Sequence, residues 1–472
     1  MGRRPGLIRY DPPMRKNTVI ALVLYLLLRW VLATQPGYVY DVKLYKNWAL
    51  YAARDGVEEI YSQQSGMDYP PLYAYILYPL GKIYLSAVPE AASALDENKL
   101  LDSPTLTVLV KLPCILFDLL IAGLLALWVR RRAVIDGQGD RWTRLLPWFY
   151  LLNPVVLFDS AYWGQPDAIH SALTLAAFLW LGWGRSAWPS WVLLTLATLM
   201  KPLGAPFFPL LGVISLVRHG FRSTFLGGLA AIATALLVFA PYIATGRMDE
   251  TIARVVGDVG AMSYTSTNAH NLWWAIGGWQ NSEVPWLGPF TATHVALAIF
   301  GVFYLGVLLV GHHLHGRGWT VASLLPKPNS EGGITHPQML GLAFVVGFGF
   351  FMISTHMHEN HMFIVVPLLA PLTALPGPRQ RWIRGMFLAA TVGCFLNLVL
   401  HDVDLSKQEV PRLAFLMAGG QSGVMNEHLH RPFFVAELWA IRFSLWWNLA
   451  LFAAVLIETF RPKGWLEKLP RP

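Results

Sequence analysis

Residues 106–132, LTVLVKLPCILFDLLIAGLLALWVRRR, decide the fold class. An apolar run of this length matches the roughly 17–25 residues that an α-helix needs to cross a hydrocarbon core. It closes on Arg130, Arg131 and Arg132, the kind of cluster that stays on the cytoplasmic side of a membrane. Similar runs recur along the 472 residues and predict about twelve spans, at 17–34, 106–129, 145–160, 168–184, 190–201, 203–217, 224–244, 288–311, 339–355, 362–376, 384–401 and 437–459. The runs at 190–201 and 203–217 are too short to span unaided; one long broken helix with a re-entrant piece is the other reading. Composition agrees. Hydrophobic residues make up 55% and charged residues only 14%, against about 25% charged in a soluble domain, so the chain cannot dress a water-facing surface. A soluble enzyme, a disordered chain and a fibrous one are excluded. The expectation is an all-α polytopic membrane protein, a single integral domain over 1–472.

The basic residues set the orientation. Placing the N-terminus, alternate loops and the C-terminus in the cytoplasm gathers most of the 36 Lys and Arg there, among them Arg3, Arg4, Arg9, Arg15, Lys16, Arg130–Arg132, Arg141, Arg144, Arg218, Arg222, Arg317, Lys327, Arg379, Arg381, Arg384 and Arg461. The same segments hold few carboxylates: Asp11, Asp136, Asp140, Glu331, Glu458 and Glu467. The apolar run 72–88, LYAYILYPLGKIYLSAV, fails this test, because crossing there would put Glu90, Asp96, Glu97 and Asp102 inside and Arg130–Arg132 outside. It reads as an interfacial or re-entrant helix whose tyrosines suit a headgroup boundary. Residues 35–105 then form one long first extracytoplasmic loop, and 245–287 and 402–436 are the other sizeable outer segments. The first span reads as an uncleaved signal anchor. Cys114 and Cys394 lie in apolar runs, which excludes a disulfide framework and a thiolate metal site. The net charge of +8 finds its partner in anionic membrane lipid rather than nucleic acid.

With sidedness assigned, the unusual polar residues collect on the outer face near span ends: Asp41; Asp68 and Tyr69 in DYPPLYAYIL; Gln165, Asp167 and His170 in AYWGQPDAIH; Lys201; Asn268, His270 and Asn271 in STNAHNLWW; His356, His358, Glu359 and His361 in THMHENHMF; and His401, Asp402 and Asp404. Ionisable groups at membrane depth are costly and usually line a cavity or site. Each also has a plain structural reading. Asp68 before two prolines suits a turn or helix cap. Asp167 suits a helix N-terminus and lies three residues from His170, on one helical face. Lys201 is able to snorkel to the interface, or to contact an anion such as phosphate. The histidines of HMHENH lack the i, i+4 spacing of a zinc-peptidase helix, so no zinc site is expected.

These segments, in this order, resemble the GT-C glycosyltransferases. DYPPL is shared with the endoplasmic-reticulum glucosyltransferases that use dolichyl-phosphate-glucose. The WGQ-D and NA-NLW elements are shared with bacterial relatives of the second GPI mannosyltransferase. The resemblance runs over roughly 36–376 and implies a GT-C bundle of about 11–13 transmembrane helices, whose first outer loop carries amphipathic helices. It implies a polyprenyl-phosphate-hexose donor, inversion at the anomeric carbon, and Asp41 as general base, with Asp68 the other candidate. WGQPD supplies Gln165 and Asp167. HMHENH replaces a His-Glu motif, with His356 where prokaryotic relatives carry Arg. The chemistry agrees: a glycosyl phosphate donor needs a base near the acceptor hydroxyl and cations near the leaving phosphate. Lys201 and a protonated histidine from the 356–361 segment are the candidate cations. A divalent metal is not favoured, since the first outer loop has no Asp-x-Asp pair, and no other cofactor is expected. The implied acceptor is a lipid-linked or protein-linked glycan or a glycolipid, outside a prokaryotic plasma membrane, with mannose or glucose as the sugar. A transporter or flippase of a lipid-linked saccharide is the alternative, but no internal repeat supports it.

Overall fold

The computed structural model describes residues 16–61, 65–96, 103–136, 140–261, 263–278, 280–315, 333–407 and 432–470. The basic N-terminal residues up to Arg15, with Asp11, the loop residues Arg317, Lys327 and Glu331, and most of the expected 402–436 segment lie outside the described residues. So do the side chains of His401, Asp402 and Asp404, although the backbone continues a helix to Lys407.

The protein is an all-α polytopic membrane protein. Among the described residues six helices are long and apolar enough to cross a membrane, at 104–132, 202–244, 292–314, 336–353, 380–400 and 439–460, and two shorter apolar helices lie at 18–33 and 188–200. This is fewer than the apolar runs suggested, for local reasons. The expected 145–160 span divides into a helix Arg141–Leu151, a turn Pro154–Val156 capped by the Asn153 side chain, and a wide π-type turn Leu157–Trp163. The 362–376 run holds Pro367 and Pro371, which remove backbone donors, and it folds as one α-turn between two 3-10 turns, all buried. The 168–184 run is a buried helix of 17 residues, Asp167–Trp183. The long 202–244 element is broken at Gly220, whose φ of +78° lies in the left-handed region. That break separates the two spans expected at 203–217 and 224–244, with Arg218 and Arg222 flanking it. The 190–201 run is a separate helix, Trp188–Met200, ending at Lys201, which is extended; Pro202 disfavours the helical conformation in the residue before it.

The segment between the helices 18–33 and 104–132 carries helices of its own. We label Val39–Asp55 α1, Leu72–Ala87 α2 and Asp167–Trp183 α3. Helix α2 has only 16 residues, with Tyr73, Ala74, Leu77, Gly81 and Tyr84 buried. It lies so close to α1 that a Cβ on Gly81 would meet the Ala49 carbonyl oxygen at 1.9 Å. Only glycine permits that approach. A second glycine, Gly37, sits at φ +63° with the Tyr162 carbonyl 2.5 Å from where its Cβ would be, so the loop enters flush against the π-type turn.

The two ends of the bundle differ in charge. At the C-terminal end of α3, the Arg131 guanidinium stacks 4.5 Å from the Trp183 ring centre and Arg218 donates to the Gly182 carbonyl at 2.8 Å. The N-terminal end, roughly 25 Å away at about 1.5 Å per residue, carries Asp167 and the polar residues singled out above. Between them, Arg29 and Asp118 form a buried ion pair at 2.5 Å. Asp118 also accepts from Tyr150 at 3.0 Å, and Arg29 donates to the Val156 carbonyl at 3.0 Å. Satisfied in this way, the buried charges brace the start of the π-type turn.

Candidate active site

The polar residues from the first loop, the WGQPD segment, the Lys201 break and the 356–361 turn meet at the N-terminal end of α3. Helix α1 supplies Asp41 in its first turn. Its Oδ2 accepts from Trp163 Nε1 at 3.1 Å and from Gln165 Nε2 at 2.5 Å. Both donors come from one short stretch because Gly164, at φ +93°, turns the chain after the π-type segment. The backbone N–H groups of Gly164 and Gln165 donate back to the Asp159 carbonyl at 2.9 and 3.0 Å. The Gln165 amide is oriented from its other end: Tyr45 donates to Oε1 at 3.0 Å, and the Tyr69 hydroxyl lies 3.4 Å from the same atom. Tyr45 stands one turn after Asp41 on α1, so the same helical face carries both.

Burial pushes the Asp41 carboxyl up to about 7, the Trp163 hydrogen bond opposes that rise, and the nearby Asp68 charge adds to it. Asp68 therefore stands beside Asp41.

Asp167 is the second centre. It is fully buried and accepts from Lys201 Nζ at 2.9 and 3.1 Å, pairs with His170 Nε2 at 3.1 Å, and accepts from Asn360 Nδ2 at 2.9 Å. The His170 contact is the i, i+3 pair expected on one helical face. Lys201 reaches inward from the extended break after Met200, with Nζ 5.7 Å from the Tyr69 ring centre. It is committed to a carboxylate rather than snorkelling.

The 356–361 turn closes the site. Glu359 is buried, its Oε2 has no hydrogen-bond partner among the described residues, and burial pushes its carboxyl up to about 8, with the Asp41 charge adding to the rise. At neutral pH it holds a proton. His358 and His361 lie with ring centres 5.1 Å apart. Burial, with Lys201 adding, pushes His358 down to about 4 and His361 well below its ordinary value. These two imidazoles are neutral at neutral pH, so Lys201 remains as the cation of the set.

Three of the expected residues make structural contacts of their own. His356 is at φ +62°, and its Nε2 lies 2.6 Å from Ser282 Oγ and 3.5 Å from Glu283 Oε1. Asn271 works as a cap and brace. Its Oδ1 accepts from the Trp273 and Trp274 N–H groups, and its Nδ2 donates to the Phe351 and Ser354 carbonyls. Asn268, at φ +61°, pairs by its backbone with His358, and its carbonyl accepts from Asn397 at 2.8 Å; these backbone contacts shape the turn. Reading the sequence also missed Trp163 and Asn360, which donate to the two carboxylates, Tyr45, which orients Gln165, and Asp159, whose two carboxylate oxygens are buried with no hydrogen-bond partner among the described residues. Trp163 and Tyr45 were within reach of spacing, being two residues from Gln165 and one helical turn from Asp41. Nothing in the sequence marks Asn360. Among the described residues no cluster of His, Cys, Asp and Glu is arranged to hold a metal ion.

The profile of glycosyltransferase family 87 matches residues 68–325, more than half of the chain. A comparison with curated proteins finds no match.

Proposed function

The chain belongs to glycosyltransferase family 87, a GT-C-type family of polyprenyl-phosphate-sugar glycosyltransferases, and from that premise we propose that it moves mannose or glucose from a polyprenyl-phosphate-hexose to a lipid-linked or protein-linked glycan or a glycolipid. In the proposed step the acceptor hydroxyl attacks the anomeric carbon, Asp41 takes the hydroxyl proton, and the bond to the phosphate oxygen breaks with inversion. Polyprenyl phosphate is the leaving group. The observation that carries this reading is the Asp41 carboxyl itself. Trp163 and Gln165 fix its Oδ2, and Oδ1 accepts no hydrogen bond among the described residues. Burial holds it at about 7, where a general base is most effective near neutral pH. Protonated Glu359 supplies a donor for a sugar hydroxyl, and Lys201 supplies charge for the leaving phosphate. In this reading base and cation are both protein groups. The basic residues at the far end of α3 support a site on the extracytoplasmic face, by the positive-inside rule, and the membrane we propose is a prokaryotic plasma membrane.

The test uses purified protein in detergent, radiolabelled polyprenyl-phosphate mannose or glucose, and a lipid extract of the host as acceptor. Label moving into a new lipid or glycan band from one donor, and lost in Asp41→Asn, is the expected result. Transfer that survives Asp41→Asn refutes Asp41 as the base and moves that role to Asp68.

A further inference from the structure

Residues 284–291, VPWLGPFT, form a small antiparallel hairpin, Pro285–Leu287 against Phe290–Thr291, with Gly288 at φ +60° in its turn. It stands out from the bundle. Leu287 is 61% exposed, Phe290 56% and Trp286 43%. From Val284 to Thr293 there is no charged residue. A contiguous apolar projection of this kind on a protein surface marks an interaction site.

The occupant follows from what the hairpin joins. Its second strand runs directly into the helix Ala292–His315, which is a candidate membrane span from Ala292. That helix exposes Leu297, Ile299, Val302, Leu305 and Leu309, so exposed apolar residues at the hairpin tip are followed, past His294, by those on the side of a span. Tryptophan beside leucine and phenylalanine at the mouth of a span is the composition of a membrane–water boundary. We infer that the 284–291 hairpin is a finger seated among the lipid headgroups and upper acyl chains, at the end of the bundle that carries the polar site.

The finger is tied to that site. Ser282 and Glu283 at its base hold His356, and the Thr293 hydroxyl donates to Glu283 Oε1 at 2.5 Å. The backbone of the stem is pinned by Ser282 N–H to the Ser263 carbonyl at 2.8 Å and by Thr265 N–H to the Gln280 carbonyl at 2.8 Å. His356 N–H in turn donates to the Tyr264 carbonyl at 3.0 Å. A lipid-seated finger therefore sets the depth of the turn that carries His358, Glu359 and Asn360 relative to the membrane surface, which is where the phosphate of a lipid-linked molecule lies.

The test is a depth measurement on the full chain in phosphatidylcholine nanodiscs. Leu287→Cys carries a nitroxide label, with Val302→Cys as the lipid-facing reference; native Cys114 and Cys394 are buried and stay unlabelled. A label at 287 that collides more often with oxygen than with a water-soluble nickel chelate supports the finger. A label at 287 open to the nickel chelate overturns it. So does an immobilised label closed to both reagents, which marks a second copy or a protein partner. The readout is independent of transfer, so it stands or falls apart from the assignment of Asp41.

Discussion

Replacing Trp163 by Phe isolates the hydrogen bond that opposes the burial of Asp41. The indole N–H donates to Asp41 Oδ2 at 3.1 Å, and among the influences on this carboxyl it is the largest that favours the charged form. A hydrogen bond to a charged group contributes about 1.5–3 kcal/mol. At about 1.4 kcal/mol per pKa unit, its loss raises Asp41 by ~1–2 units, from about 7 towards ~8–9. A base works only when ionised, so native activity climbs as pH rises through neutrality and the variant climbs that much later. At pH near 7 the native carboxyl is about half ionised and that of the variant ~1–10%, a fall in kcat of ~5- to 50-fold. Phenylalanine keeps apolar bulk against Tyr38 and Phe158, which flank the indole. The assay is label transfer at saturating donor from pH 5 to 10, native against variant. Convergence of the two at high pH is the expected result. A loss of the same size at every pH refutes the argument, because it would mean that Trp163 shapes the site without tuning the base.

The raised carboxyls also carry a sign for stability. Asp41 and Glu359 at about 7 and about 8 keep protons that the unfolded chain gives up near 4, so folding is penalised increasingly as pH rises through that window. Asp41→Asn and Glu359→Gln are therefore expected to unfold at higher temperature than the native chain at pH 8, with the gain fading towards pH 4 in a thermal melt in detergent. For Lys201→Met the expectation is the opposite: Asp167 is left buried without its cation, at about 3–5 kcal/mol. Adding Asp167→Asn in the same chain should recover most of that loss, and an additive double variant would deny the pairing.

How much of this was legible beforehand follows from sequence distance. The Asp167–His170 pair spans three residues, and the break at Lys201 is written in the proline that follows it. The run that became α2, 16 residues long, reads as a non-span from the charges that flank it. The contacts that make the site are of another kind. Trp163 and Gln165 reach Asp41 across more than 120 positions and Asn360 reaches Asp167 across 193, and no periodicity reports such distances. For the same reason the sequence could not foresee that the Asn271 amide caps a helix, or that the His356 ring lies beside Ser282 and Glu283. Both residues look functional because polar groups near span ends are scarce, yet a buried turn needs its own donors and acceptors as much as a substrate does.

The charge balance of the site constrains the proposed reaction further. With His358 neutral and Lys201 spent on Asp167, positive charge for a departing phosphate is in short supply. A phosphate that draws on Lys201 does so at the expense of Asp167, and a buried carboxylate stripped of its partners would cost several kcal/mol. The arrangement meets this difficulty in advance. Asp167 has three donors on its two oxygens, from Lys201, His170 and Asn360, so two remain when the ammonium turns towards the donor. Asn360 belongs to the turn anchored by the hairpin stem, and His170 to the rigid first turn of α3. In the proposed step the cation that would move is the one at the end of the longest side chain, in the extended break after Met200, while the two groups that would stay are held by the fold.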